Sequence, residues 1–231
     1  LNIIICEGTN DVLFFEEMFN KCPKMNKKIY SMIGRTFNEL ETKILEDSCF
    51  NYYNNEYDLV IFGDSGKPGI HEKLFPDVIS DLLGTHQDEI GILLVLDDDG
   101  VEYGDLYTKV QKTLGLLATN KRKFQKLPLY CEKDGVFIFQ KVGKYGCIKA
   151  KLITVPQNIE TVVVRTYLKH RNLTNSKKYN FSKKSPHIVM KELAEDFFDK
   201  DIAELIRFTA SNFAIYDIEN EDWAKSLLIY S

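Results

Sequence analysis

The sequence predicts an α/β fold, a mainly parallel sheet flanked by helices in three layers. Short apolar runs of strand length alternate with amphipathic stretches of helical spacing through the first half of the chain. Polar, acid-bearing turns close three of those runs, where an open parallel sheet carries its site. The pattern changes after residue 120, where a basic β-hairpin region and then a helical C-terminal third are expected.

Residues 2–6, Asn-Ile-Ile-Ile-Cys, form an apolar run that predicts a buried strand. It stops at Glu7 and Gly8. Thr9 or Asn10 is the expected cap of a helix over 11–20, where Val12, Phe14, Phe15, Met18 and Phe19 recur at helical spacing. A strand is expected over 28–34 and a helix over 37–48, then a strand over 57–62. The glycine- and proline-rich residues 63–69 read as a loop and 71–83 as a helix. The most apolar strand, 90–96, runs straight into Asp97-Asp98-Asp99-Gly100, and a helix follows over 102–117.

Beyond residue 120, the runs 127–131 and 136–140 flank Glu-Lys-Asp-Gly, a hairpin signal. A strand over 147–155, a helix over 159–170 and a polar loop over 172–185 come next. Helices over 186–198, 201–208 and 217–230 close the reading. The chain divides into an α/β domain over 1–120 and a hairpin-plus-helical extension over 121–231, packed together as one unit.

Composition narrows the function classes. With 44% hydrophobic and 12% aromatic residues, burial offsets the ordering entropy, so a folded domain is expected rather than a disordered chain. No apolar run approaches the ~18 residues of a membrane span, and no secretory leader pattern opens the chain. The chain begins at Leu1, which leaves room for residues upstream. Five cysteines without a CxxC pair read as reduced thiols of a cytoplasmic protein and argue against a Cys/His metal site.

The net charge of -4 hides an asymmetry. Residues 109–184 hold 18 Lys or Arg against three acids, so a cationic tract sits in an otherwise acidic chain. Such a tract attracts phosphates, while acids gathered elsewhere attract cations; the alternative is a solvated lysine-rich surface. The candidates for nucleic-acid contact are Lys121, Arg122, Lys123 and Lys126, with Phe124, Tyr145 and Tyr179 interspersed for base stacking or core packing. Lys67, in Gly-Asp-Ser-Gly-Lys-Pro, is a further phosphate candidate, although the spacing is not that of a P-loop.

Strand alternation places Asp97 and Asp99 on one face, and two such carboxylates repel unless a cation joins them. Hard oxygen donors suit Mg2+ or Mn2+. Asp98 then points elsewhere and caps the next helix. Glu7 at a second strand end is a candidate general acid/base or further ligand, and Gly8 lets the backbone approach a phosphate. The competing reading makes these acids solvated turn residues and helix caps. His170 and His187 stand apart in sequence and read as surface or helix-end residues.

These residues carry a resemblance. "NIIICEGTNDVLFFEEM" resembles the first motif of the TOPRIM domain, a strand followed by Glu-Gly with a further acid close behind. "ILLVLDDDG" resembles its second motif, an apolar strand followed by DxD. Together and in order they cover residues 1–118; "IFGDSGKPGI" is similar to the glycine turn of small stand-alone archaeal and phage members. The resemblance implies a Rossmann-like sheet with Glu7 as catalytic acid/base, Asp97 and Asp99 as metal ligands, and Asp11 as an accessory acid. Asp64 is not secured by the family pattern, and Glu160 resembles the acid that follows a proline in some nuclease-type members. The motifs lie about 90 residues apart, farther than in compact members, which fits an insertion around 28–56.

The expected function is therefore Mg2+- or Mn2+-dependent phosphoryl transfer on DNA or RNA, most simply a nuclease. The alternatives are a regulatory module that binds nucleic acid or nucleotide without turnover, and a primase-like nucleotidyltransferase. No membrane partner is expected, and the oligomeric state stays open.

Overall fold

The computed structural model describes residues 2–23, 25, 27–33, 57–63, 90–119, 129–131, 135–140, 147–180 and 183–230. The expected helices over 37–48 and 71–83, and the loop over 64–69, lie outside the described residues.

One sheet organises the fold, and both halves of the chain contribute to it. Its strands are β1 (Asn2–Cys6), β2 (Ile29–Ile33), β3 (Leu59–Gly63), β4 (Ile90–Asp97), β5 (Leu129–Cys131), β6 (Val136–Gln140) and β7 (Cys147–Val155). Their order is β2-β3-β1-β4-β7-β6-β5. The first five in that order run parallel, and the β5–β6–β7 edge is antiparallel. β1 is central, with Ile3, Ile4, Ile5 and Cys6 all buried. This explains its continuous apolar run, since a strand covered on both faces needs no polar alternation.

The helices are α1 (Thr9–Lys21), α2 (Tyr103–Thr119), α3 (Ile159–His170), α4 (Pro186–Phe197), α5 (Ile202–Asn212) and α6 (Asp222–Tyr230). Ile4 and Cys6 face a core shared with α1, α3, α4, α5 and α6. Ile3 and Ile5 face a second core with Val110 and Leu114 of α2. The chain thus leaves β1 onto one face and leaves β4 onto the other. Adjacent strands whose connections part in this way open a crevice at their carboxyl ends.

The larger core is an aromatic lattice. Phe14 meets Phe213 edge-on at 5.4 Å, and Phe213 stacks on Trp223 at 5.5 Å. This lattice ties α1 to the chain's end. The helix expected over 217–230 starts later: a short 3-10 turn, Ile218–Asn220, precedes α6, and a π-helical turn, Phe213–Asp217, lies ahead of it. The wide turn presents Phe213, Ala214 and Asp217 to the interior together. Asp217 is buried and accepts hydrogen bonds from Lys169 and His170 at the end of α3, which fixes the turn. His170 therefore has the helix-end role expected of it.

Candidate functional site

The crevice gathers acids from four elements. Glu7 follows β1, Asp11 lies in the first turn of α1, Asp97 ends β4, and Glu160 lies in the first turn of α3. Asp99 follows in the β4–α2 turn. The Asp97 N–H donates to Glu7 Oε1 at 3.1 Å, across the β1–β4 boundary. Asn10 Nδ2 donates to Glu160 Oε1 at 2.8 Å, joining the α1 and α3 starts across 150 residues of sequence.

Capping of α1 differs from expectation. Its N-cap is Gly8, which has no side chain to offer, rather than Thr9 or Asn10. Asp11, in the first turn of α1, lies close enough to its own N–H and to that of Gly8 for both to favour its ionised form. The start of α1 in turn constrains the end of β3. A Cβ on Gly63, the last residue of β3, would lie 2.9 Å from Gly8 O and 2.2 Å from Val12 Cγ2.

The electrostatics are those of crowded like charges. Burial first, then Asp11, Glu7, Glu160 and Asp99, pushes the Asp97 carboxyl up to about 9. Burial first, then Glu7 and Glu160, pushes Asp11 up to about 8, against the pull of its two backbone hydrogen bonds. Both are biased toward the protonated form. Asp97 Oδ1 is buried without a hydrogen-bond partner among the described residues. The thiol of Cys6, buried beside these acids and donating to Phe62 O, is pushed well above its usual range, mainly by burial. It is therefore an inert core thiol.

The second and third aspartates differ from the alternation argument, which ends where β4 ends at Asp97. Asp98 does not cap α2. Its Oδ1 accepts from Gly100 N at 2.9 Å and from Gln157 N at 2.8 Å, so one carboxylate oxygen laces the β4–α2 turn to the β7–α3 turn. Asp99 is exposed and left-handed (φ 45°), and its N–H donates to the carbonyl of Gln157, also left-handed (φ 63°). Two non-glycine residues in this region are costly to hold, and the Asp98 lacing holds them. Asp98→Ala leaves two N–H groups without their acceptor. It should cost about 1–2 kcal/mol, read as a lower melting temperature together with faster amide exchange at Gly100 and Gln157.

The sequence-derived candidates sort clearly by position. Glu7, Gly8, Asp11, Asp97, Asp99 and Glu160 come together at the crevice. Asp64, Lys67, Lys121, Arg122, Lys123 and Lys126 lie outside the described residues. Tyr179 is buried and donates to Asp196, so it packs in the core rather than stacking bases. Sequence reasoning missed Asn10 and Gln157, whose roles are purely tertiary. Asn158 was detectable: it caps α3 by accepting from Thr161 N at 2.9 Å, an ordinary N-cap pattern.

Among the described residues, no three His, Cys, Asp or Glu side chains converge into a ready-made metal cage. The donor chemistry nonetheless fits a hard divalent cation. The acids are oxygen donors, one buried carboxylate oxygen lacks a partner among the described residues, and two carboxyls are pushed up by burial and then by neighbouring acids. Mg2+ in particular uses one or two carboxylates and completes its shell with water and phosphate oxygens. No helix among the described residues is long and apolar enough to cross a membrane. No family model, curated protein or solved structure matches the chain.

Proposed function

We propose that the protein is a Mg2+- or Mn2+-dependent phosphodiester hydrolase acting on nucleic acid, with a TOPRIM-like acidic site. The observation that carries this reading is the buried Oδ1 of Asp97, unpartnered among the described residues, within a group of acids at the β1/β4 crevice. Such an arrangement is unstable as bare charge and is relieved by a cation.

On this reading Asp97 and Asp99 hold the cation, with Glu7 beside them and Asp11 and Glu160 as supporting charge. When bound, the ion neutralises charge on the scissile phosphate and acidifies a water. Glu7 is oriented by the Asp97 N–H on its Oε1 and takes the proton of the attacking water on its carboxylate; as the water oxygen bonds to phosphorus, the P–O bond to the sugar oxygen breaks and that oxygen takes a proton from solvent. Gly8, without a side chain, leaves room for the phosphate at the start of α1, where helix N–H groups favour an anion.

The test is calorimetric titration of Mn2+ and Mg2+ into wild type and Asp97→Ala/Asp99→Ala, alone and with a short oligonucleotide, followed by cleavage assays. Metal binding by wild type that the variant loses, with metal-dependent cleavage, is the expected result. Binding without cleavage of any single- or double-stranded DNA or RNA would replace the hydrolase with a regulatory module. No binding even with oligonucleotide present would reduce the acids to capping residues.

A further inference from the structure

A cleft of about 750 Å3 opens at Asp99 and Gly100 and runs between the starts of α3 and α4 to Lys183 and Lys184. One end is therefore the acidic site, and the walls beyond it are cationic. Arg165 lines the α3 side and is exposed; its guanidinium donates to Gln157 Oε1 at 3.2 Å, which orients it along the cleft. Lys183 lines the opposite side, is exposed, and makes no ion pair among the described residues. Lys184 is engaged otherwise: it pairs with Glu192 at 2.6 Å and donates to Lys178 O at 2.9 Å, pinning the loop that presents Lys183.

The α4 side adds a third attraction. Its N-cap, Ser185, makes no side-chain cap bond, and its first turn contains no acid. The positive end of that helix is thus uncompensated where Ser185 and Pro186 meet the cleft. By contrast, α3 is capped by Asn158 and carries Glu160.

We propose that this cleft is a binding site for the phosphate backbone of one nucleic-acid strand, with Arg165 and Lys183 gripping phosphates adjacent to the one held at Asp99. This rests on the hydrolase reading for its substrate class, but the cleft itself is a separate set of residues. An arginine and a lysine lining one cleft suit phosphate oxygens. The volume lies in the range of cavities that enclose small organic ligands, which suits a short stretch of a strand. The cationic walls also favour phosphates where the acids alone would repel them.

The experiment is fluorescence anisotropy of a short labelled oligothymidylate, in EDTA and again in Ca2+. Wild type is compared with Arg165→Ala/Lys183→Ala and with Lys112→Ala, an exposed lysine of α2 on the other face of the sheet. At low salt the double variant should weaken binding about tenfold or more in both buffers. Its slope of log affinity against log salt should flatten by about 1.4, for two lost phosphate contacts on a single strand. Lys112→Ala should stay within about twofold of wild type. A charge reversal, Lys183→Glu, should weaken binding about tenfold or more while the melting temperature holds.

Binding by the double variant equal to wild type, or no wild-type binding in either buffer, overturns the proposal. Displacement by inorganic phosphate as readily as by unlabelled strand would assign the cleft to a lone phosphate and also overturn it. The two readings separate cleanly. Metal-dependent cleavage with an unaffected double variant removes the cleft and keeps the hydrolase. Loss of binding in the double variant, from a wild type that cleaves nothing, does the reverse.

Discussion

Asp97→Asn should make the protein more stable and inactive at once. The amide keeps the shape of the carboxyl but never ionises, so the crowding among Glu7, Asp11, Asp97, Asp99 and Glu160 loses its most burdened member. In EDTA at pH 8 the expected gain is about 1–2 kcal/mol, or ~2–8 °C in melting temperature. If the site is the proposed hydrolase, turnover should fall by about 100- to 1000-fold or more, because a ligand oxygen is gone. The pH dependence has a definite sign. Asp97 and Asp11 bind protons more tightly folded than unfolded, so stability is greatest below the ordinary aspartate range and declines as pH rises toward about 8–9. Thermal melts in EDTA from pH 5 to 9 should show that decline, and Asp97→Asn should reduce it. Saturating Mn2+ should flatten it in wild type only, since a bound cation lets the acids ionise without repulsion. A wild-type melting temperature that does not decline over this window would remove the premise of crowded carboxyls.

Gly63→Ala should be among the most damaging single-methyl additions in the fold. The new Cβ would lie 2.2 Å from Val12 Cγ2 and 2.9 Å from Gly8 O. Val12 is fully buried and β-branched, so it cannot rotate away cheaply. Gly8 O accepts from Val12 N at 3.2 Å, the bond that starts α1, so the backbone cannot yield without loosening the helix. The expected loss is about 2–3 kcal/mol, or ~4–12 °C in melting temperature. Adding Val12→Ala should recover only part of it, because the clash with the carbonyl remains. Glu7 adjoins Gly8, so residual folded protein should also bind Mn2+ more weakly in calorimetry. A Gly63→Ala protein that melts with wild type would show that α1 can slide on β3.

Much of this architecture was legible because the local signals agreed with the tertiary fold. β1 and β4 are buried on both faces, and their unbroken Ile, Leu and Val runs say so. α1 was visible from Val12, Phe14, Phe15, Met18 and Phe19, all of which enter the larger core. The acids at the crevice were legible because strand ends are sequence landmarks. What sequence could not show was which acid does which job. Asp98 sits between two candidate ligands, yet one of its two partners lies 59 residues away at Gln157. Asp11 resembles a free accessory acid, yet it is buried in the first turn of its own helix. The break before α6 was hidden because Phe213 to Asp217 has no proline or glycine; the burial of Asp217 between Lys169 and His170 selects the wide turn.

The Asn10–Glu160 hydrogen bond has a bearing on how the molecule is made. It joins the first helix to a residue translated long afterwards, and β1 takes its β4 neighbour only when residues 90–97 have emerged. At a synthesis rate of ~5–20 residues per second, roughly 8–30 s pass between the two bonded residues. During that interval the acids of the amino-terminal strand and helix exist without their partners. A nascent chain therefore cannot acquire a complete crevice before Glu160 has emerged, and any activity toward nucleic acid would switch on only after that residue has left the ribosome.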